Sequence, residues 1–272
     1  MTDSDRSAAA LSSMDEAAVA VPPASQETGR AGEAASLAPA PKRTTAHPPS
    51  PRRHKGTLYA ALDLGTNNCR LLIARPHDHG FRVLDGFTRI VRLGEGVSVH
   101  GRLGDAAMDR TMEALRQCRN KLREHQPARM RLIATEACRA AENGIAFLGR
   151  VKDELGLDLE IIDRRTEAEL AVTGCADLVD ADAQGALMFD IGGGSSELAW
   201  LDFRGGRPRS QGRMAASIRS WQSLPVGVVS IAERFGGVDV TPDVFEAMVA
   251  YVAEHLKQFR GREKLRQMIG TH

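Results

Sequence analysis

The sequence predicts an α/β protein: two related halves with mixed sheets, the second incomplete, preceded by a disordered N-terminal tail. Three observations carry this. The composition changes near residue 56, and segments of strand and helix period alternate from there on. A strand–loop–strand unit opening on Asp-x-Gly then occurs twice, at Asp63 and again 127 residues later at Asp190. The expected division is a tail over 1–56, a first half over 57–184 and a second over 185–272.

The tail holds seven of the chain's twelve prolines, much Ala and Ser, and no aromatic residue. Such a segment buries too little apolar surface to offset its chain entropy. Its acidic start, Asp3 and Asp5, stands where a secretory signal needs basic residues, and "PRRHK" at 51–55 reads as a solvated hinge. Over all 272 residues the formal net charge is +1 and aromatics are 4%. Both figures argue against a nucleic-acid partner, which needs clustered positive charge or stacking platforms. No apolar run reaches the ~18 residues that a membrane span requires, so no membrane partner is expected. The four cysteines form no close pair, which suits a reducing cytoplasm. His77 and His79, flanked by Pro and Gly, read as a solvated turn rather than a metal pair.

In the first half, "TLYAALDLG" and "CRLLIARP" read as strands joined through "GTNN", and "FRVLDGFTRIVRLGEGV" reads as a third. Met108, Met112, Leu115, Cys118 and Leu122 recur at helical spacing within "AAMDRTMEALRQCRNKLREH". Arg116, Arg119 and Arg123 on that helix read as a solvated face. The segments "RMRLIAT", "AFLGRVKDELG", "LDLEIID" and "EAELAVTGCADLV" then alternate strand and helix. The second half restarts with "GALMFDIGG" and "SSELAWLDF" as a hairpin, and "RMAASIRSWQSLPVG" as a third, extended piece. "TPDVFEAMVAYVAEHLKQFRG" is a helix with a Thr cap and Pro at its first position. "KLRQMIGTH" reads as a strand cut at its end.

The two Asp-x-Gly units carry the chemistry. A turn this rich in glycine and small polar residues lets successive backbone N–H groups converge on one anion. The candidate phosphate cradle is therefore Gly65, Thr66, Asn67 and Asn68 on one side, and Gly192, Gly193, Gly194, Ser195 and Ser196 on the other. Asp63, Asp190 and Glu197 repel phosphate directly, but make sense around a divalent cation such as Mg²⁺, which takes one or two carboxylates plus phosphate oxygens. One such loop alone is satisfied by a plain hairpin. Two at matching places point to a clamp on a phosphate chain, and to the actin-like (ribonuclease H-like) two-domain fold.

Within that fold the chain resembles the exopolyphosphatase and guanosine pentaphosphate phosphohydrolase (Ppx/GppA) family, over residues 58–271. "DLGTNNCRLLI" is similar to the family's first phosphate loop, with Thr66 and Asn68 in place of serines. "DIGGGSSEL" is close to its second loop, and "LPVGVVSIAERF" to the stretch that follows. "ATEACRAAENG" resembles the segment whose arginine, here Arg139, contacts phosphate, and Arg70 is a further phosphate candidate. "LEIIDRRTEAEL" resembles the segment holding the catalytic glutamate, which falls on Glu167; Thr166 stands where the family often has a second acid. The resemblance implies a Mg²⁺-dependent hydrolase acting on polyphosphate or guanosine pentaphosphate, with a homodimer as an open option. A binding module without turnover, or a fragment without function, is the alternative. A nucleotide-dependent kinase is the weaker one.

Overall fold

A computed structural model describes residues 56–263, apart from 78–79, 207, 209–210 and 238, together with Arg266. The expected tail, His79, the 51–55 patch and most of "KLRQMIGTH" lie outside the described residues.

The first half is built on one five-stranded mixed sheet. Strands β1 (Tyr59–Leu64), β2 (Asn68–His77) and β3 (Gly80–Ile90) form an antiparallel meander, and β4 (Arg129–Ala134) and β5 (Glu160–Ile161) add in parallel, in the order β3-β2-β1-β4-β5. Alternation along β1 sends Ala60, Leu62 and Leu64 into the core and leaves Tyr59 and Ala61 outside. The expected third strand stops seven residues early, at Ile90. From there the chain turns back, because Val91 and Arg92 donate to the Asn67 carbonyl instead of continuing the ladder. The expected strand "LDLEIID" shrinks to two residues.

Helix α2 (Asp105–His125) follows the short helix α1 (Val97–His100) and covers the sheet with the face read from its spacing. Met112, Leu115, Cys118 and Leu122 are buried, while Met108 is only partly so. Each fully buried side chain of Leu size contributes about 1.5–3 kcal/mol. Arg116 pairs with Glu113 and, across to α4 (Gly144–Leu155), with Glu154. That arginine is thus committed on an outer helix face.

The second half holds a separate three-stranded antiparallel sheet, β6 (Gly185–Ile191), β7 (Ser196–Asp202) and β8 (Ile218–Leu224). Among the described residues this sheet is not mixed. The expected extended piece from Arg213 splits: residues Gln211–Ser217 form a 3-10 turn before β8 begins. Helix α7 (Pro242–Lys257) starts as read, with Thr241 Oγ1 accepting from Val244 N at 3.3 Å and Pro242 at the first position. Three helices went unread: α1, α3 (Glu136–Ala140) and α6 (Val228–Phe235).

Helix α5 (Arg164–Gly174) falls before residue 184, yet it packs on the second sheet. Its Val172 shares a core with Ala199, Leu201, Phe203 and Met214. Its N-terminal turn also meets the first half, where Glu167 accepts from Arg139. No helix among the described residues is long and apolar enough to cross a membrane.

Candidate active site

The two loops meet. Each hairpin closes the same way, with Gly65 N donating to Asn68 O and Gly192 N to Ser195 O, both at 2.9 Å. Their carbonyls are then taken from behind. Thr66 O accepts from Gly94 N and Asn67 O from Val91 N and Arg92 N, while Gly192 O and Gly193 O accept from Val228 N, Val229 N and Ser230 N at the start of α6. Among the described residues, the N–H groups of Thr66, Asn67, Gly193, Gly194 and Ser195 have no acceptor. A loop with its acceptors used and its donors free can cradle an anion.

The glycines serve a second purpose. A Cβ on Gly193 would stand 2.9 Å from Thr66 Cβ and 3.1 Å from Asn67 N, and one on Gly227 would stand 2.4 Å from Gly193 O. None of Gly192, Gly193 or Gly194 has positive φ. They are small so that the first loop and α6 can press against the second loop.

Both loops line one cavity of about 170 Å³. The hairpin registers pair Asp63 with Arg70 and Asp190 with Glu197, and all four residues line it. Glu167 joins them from the first turn of α5, where Asp163 caps the helix by accepting from Thr166 N at 2.7 Å. A helix N-terminus favours a carboxylate. Burial outweighs that here: first burial, then the nearby Glu197 charge, push the Glu167 carboxyl up to about 7 against the pull of Arg139. Glu197 is almost wholly buried, and burial holds its carboxyl above the usual range although Ser223 Oγ donates to it at 2.8 Å. Asp63 is likewise raised by burial, opposed by Arg70 and reinforced by Asp190.

Two expected phosphate ligands stand elsewhere. Ser196 Oγ donates to Val226 O at 2.6 Å and is not on the cavity wall. Arg139 also stands behind the wall: Nη1 donates to Ile162 O at 2.6 Å, Nη2 to Glu167 Oε2 at 3.0 Å, and both Nε and Nη2 to Glu136 Oε2. Its fork is spent on two acids and a carbonyl. Arg70 lines the cavity and makes no ion pair among the described residues. Glu136 was missed by the sequence reading, although it lies in the same "ATEACRAA" segment. It lines the cavity and binds Arg164 Nη2 at 2.8 Å as well as Arg139.

Among the described residues no three His, Cys, Asp or Glu side chains gather into a metal-holding group. Asp63, Asp190 and Glu197 therefore do not form a ready-made cage. Asp63 Oδ1, however, is buried without a hydrogen-bond partner. That orphaned oxygen on a cleft lined by acids and free N–H groups fits an ion shared between one or two carboxylates and a phosphate, as Mg²⁺ prefers.

Two α/β halves that bring paired Asp-x-Gly loops around one cleft define the actin-like class. Within that class the chain belongs to the Ppx/GppA phosphatase family, whose model matches residues 72–268. An exopolyphosphatase-like protein of solved structure is 31% identical, with 75% of this chain and 61% of that one covered and a TM-score of 0.66. An exopolyphosphatase from Cytophaga hutchinsonii is 30% identical, covering 74% and 61%, at 0.64. The PPX-GPPA enzyme of Aquifex aeolicus is 28% identical, covering 74% and 64%, at 0.57. The chain spans about three fifths of the length of these relatives.

Proposed function

We propose that the chain carries the site of a cytoplasmic phosphoanhydride hydrolase, which removes the terminal phosphate from inorganic polyphosphate, guanosine pentaphosphate or both. The observation that carries this is the placing of Glu167, with its carboxyl near 7, on the same small cavity as two donor-rich loops.

The free N–H groups of 66–67 and 193–195 take the oxygens of the terminal phosphate, and Arg70 takes one from the side. Glu167 accepts a proton from a water as its oxygen attacks phosphorus, and the bridging oxygen leaves with the shortened chain. A base of that pKa works near neutral pH, a role worth about 10²–10⁴ in rate. Arg139 holds the Glu167 carboxylate in orientation. A divalent cation held among Asp63, Asp190 and Glu197 would offset phosphate charge, the main demand of phosphoryl transfer.

The test is phosphate release from long-chain polyphosphate and from guanosine pentaphosphate, with Mg²⁺ or EDTA, by wild type and Glu167→Gln. Metal-dependent release that Glu167→Gln loses supports the reading, and the faster substrate gives the preference. A folded wild type that binds polyphosphate and releases nothing from either compound overturns it in favour of a binding module.

A further inference from the structure

The loops are joined behind the cavity as well as in front of it. Residues 91–94 bracket the first loop, and the start of α6 brackets the second. Glu233, one turn further along α6, reaches across to the start of α1, which follows the first bracket directly and is joined to it by Val97 N donating to Gly94 O. Its Oε1 accepts from Gly96 N at 2.6 Å and its Oε2 from Ser98 Oγ at 2.5 Å, over separations of 137 and 135 residues. Both are charge-assisted hydrogen bonds, the stronger kind. No Lys or Arg pairs with Glu233 among the described residues.

Beside this crossing lies a cavity of about 170 Å³, walled mostly by small or apolar residues such as Gly94, Val97, Ala137 and Val229, with Glu136 and Glu233 also on its wall. Close packing fixes the spacing of elements in a protein interior. The loops press together at Gly193 and Thr66, but behind that contact packing leaves a gap, and the directional bonds of one carboxylate span it. Thr66 of the first loop and Gly194 of the second both border that gap, so a shift of either bracket moves the loop it carries.

We propose that Glu233 is a positioning residue: by tying the two brackets together it sets the spacing of the two loops, and so the affinity for a phosphoanion gripped from both sides. The inference rests on the phosphate reading of the cavity. A purely local role is the alternative, since the same carboxylate caps α1 and a cap stabilises a fold without touching ligand affinity.

The experiment compares wild type with Glu233→Ala, Glu233→Gln and Ser98→Ala in the full chain. It reads calorimetric affinity for inorganic tripolyphosphate with Mg²⁺, the melting temperature, and amide exchange of Gly94 and Val229 without ligand. Glu233→Ala is expected to weaken tripolyphosphate binding about tenfold or more, the size of a lost hydrogen bond to a charged group. Glu233→Gln keeps an acceptor for Gly96 N and recovers most of the affinity, while Ser98→Ala falls between. Exchange at Gly94 and Val229 speeds up together in Glu233→Ala. Unchanged affinity with a lowered melting temperature overturns the proposal and leaves a cap. If Glu233→Ala does not fold, wild-type affinity in Ser98→Ala overturns it equally. Should wild type bind no tripolyphosphate while the two amides still loosen together, the clasp stands and the phosphate reading falls.

Discussion

Arg139 Nη2 donates to Glu167 Oε2 at 3.0 Å, and the same nitrogen is held by Glu136. An arginine in this position holds the carboxylate proposed as the base, and its fork is not turned to the cavity. Its hydrogen bond first, and then its charge, pull the Glu167 carboxyl down against burial and Glu197. In Arg139→Gln the Glu167 pKa rises further, so the acid limb of kcat/KM, expected near 7 in wild type, moves to higher pH. Arg139→Lys keeps the charge but cannot serve two acids and a carbonyl at once. It should lower kcat roughly 10- to 100-fold through a misplaced base, with little change in KM. A raised KM with kcat unchanged would return Arg139 to the phosphate contact that the family resemblance implies.

Glu167 also makes the fold pH-sensitive. Its ordinary value is 4.5, and in the fold it lies at about 7. Between those values the folded chain holds a proton that the unfolded chain has released. Stability from this group is therefore highest below 4.5, falls as pH rises to about 7, and stays level beyond. The total is roughly 3 kcal/mol. Glu167→Gln should melt higher than wild type at pH 8 in metal-free buffer, with the difference shrinking towards pH 5. An equal difference at both pH values would show that the burial of its charge is not what costs stability.

Gly193→Ala tests the contact between the loops. The added Cβ meets Thr66 Cβ and a backbone nitrogen, neither the end of a flexible chain. Forcing the loops apart should cost about 1–3 kcal/mol and a large share of phosphate release. Gly149→Ala in α4 is the control: nothing lies within 4 Å of its new Cβ. Removing a mid-helix glycine there should raise stability by about 0.5–1 kcal/mol. Thermal melts of the two variants side by side decide the matter. Equal, small effects would mean that the loops are not pressed together in solution.

What the sequence made legible follows from which physics is local. The repeated Asp-x-Gly hairpins are local: an apolar run, an acid, and glycine with small polar residues are enough to mark Asp63, Asp190 and the two loops that line the cavity. The face of α2 was readable because its spacing alone decides which side is buried. Helix α6 was not, since "VVSIAERF" is rich in β-branched residues that disfavour a helix. Its first N–H groups are satisfied by Gly192 and Gly193, a partner no window contains. Arg139 was marked as functional, but its partners come from residues 136, 162 and 167, so its target could not be read. Ser196 follows Ser195 in sequence yet points its hydroxyl at Val226. Strand alternation separates the two serines, and motif matching counts them together.

Asp63 is the residue on which the cation question turns. Its Oδ1 is buried with no donor, and Asp190 adds like charge to the cost of burial. A buried acceptor without a partner typically costs about 1–3 kcal/mol. Without metal, Asp63→Asn removes that charge and should stabilise the chain. With Mg²⁺ and tripolyphosphate present, wild type should gain stability through ligand linkage. Asp63→Asn should lose most of that gain, because its neutral amide holds a cation poorly. The order of melting temperatures then reverses between the two conditions. If wild type and Asp63→Asn gain equally from Mg²⁺ and tripolyphosphate, the orphaned oxygen does not hold the cation, and Asp190 or Glu197 must carry that role alone.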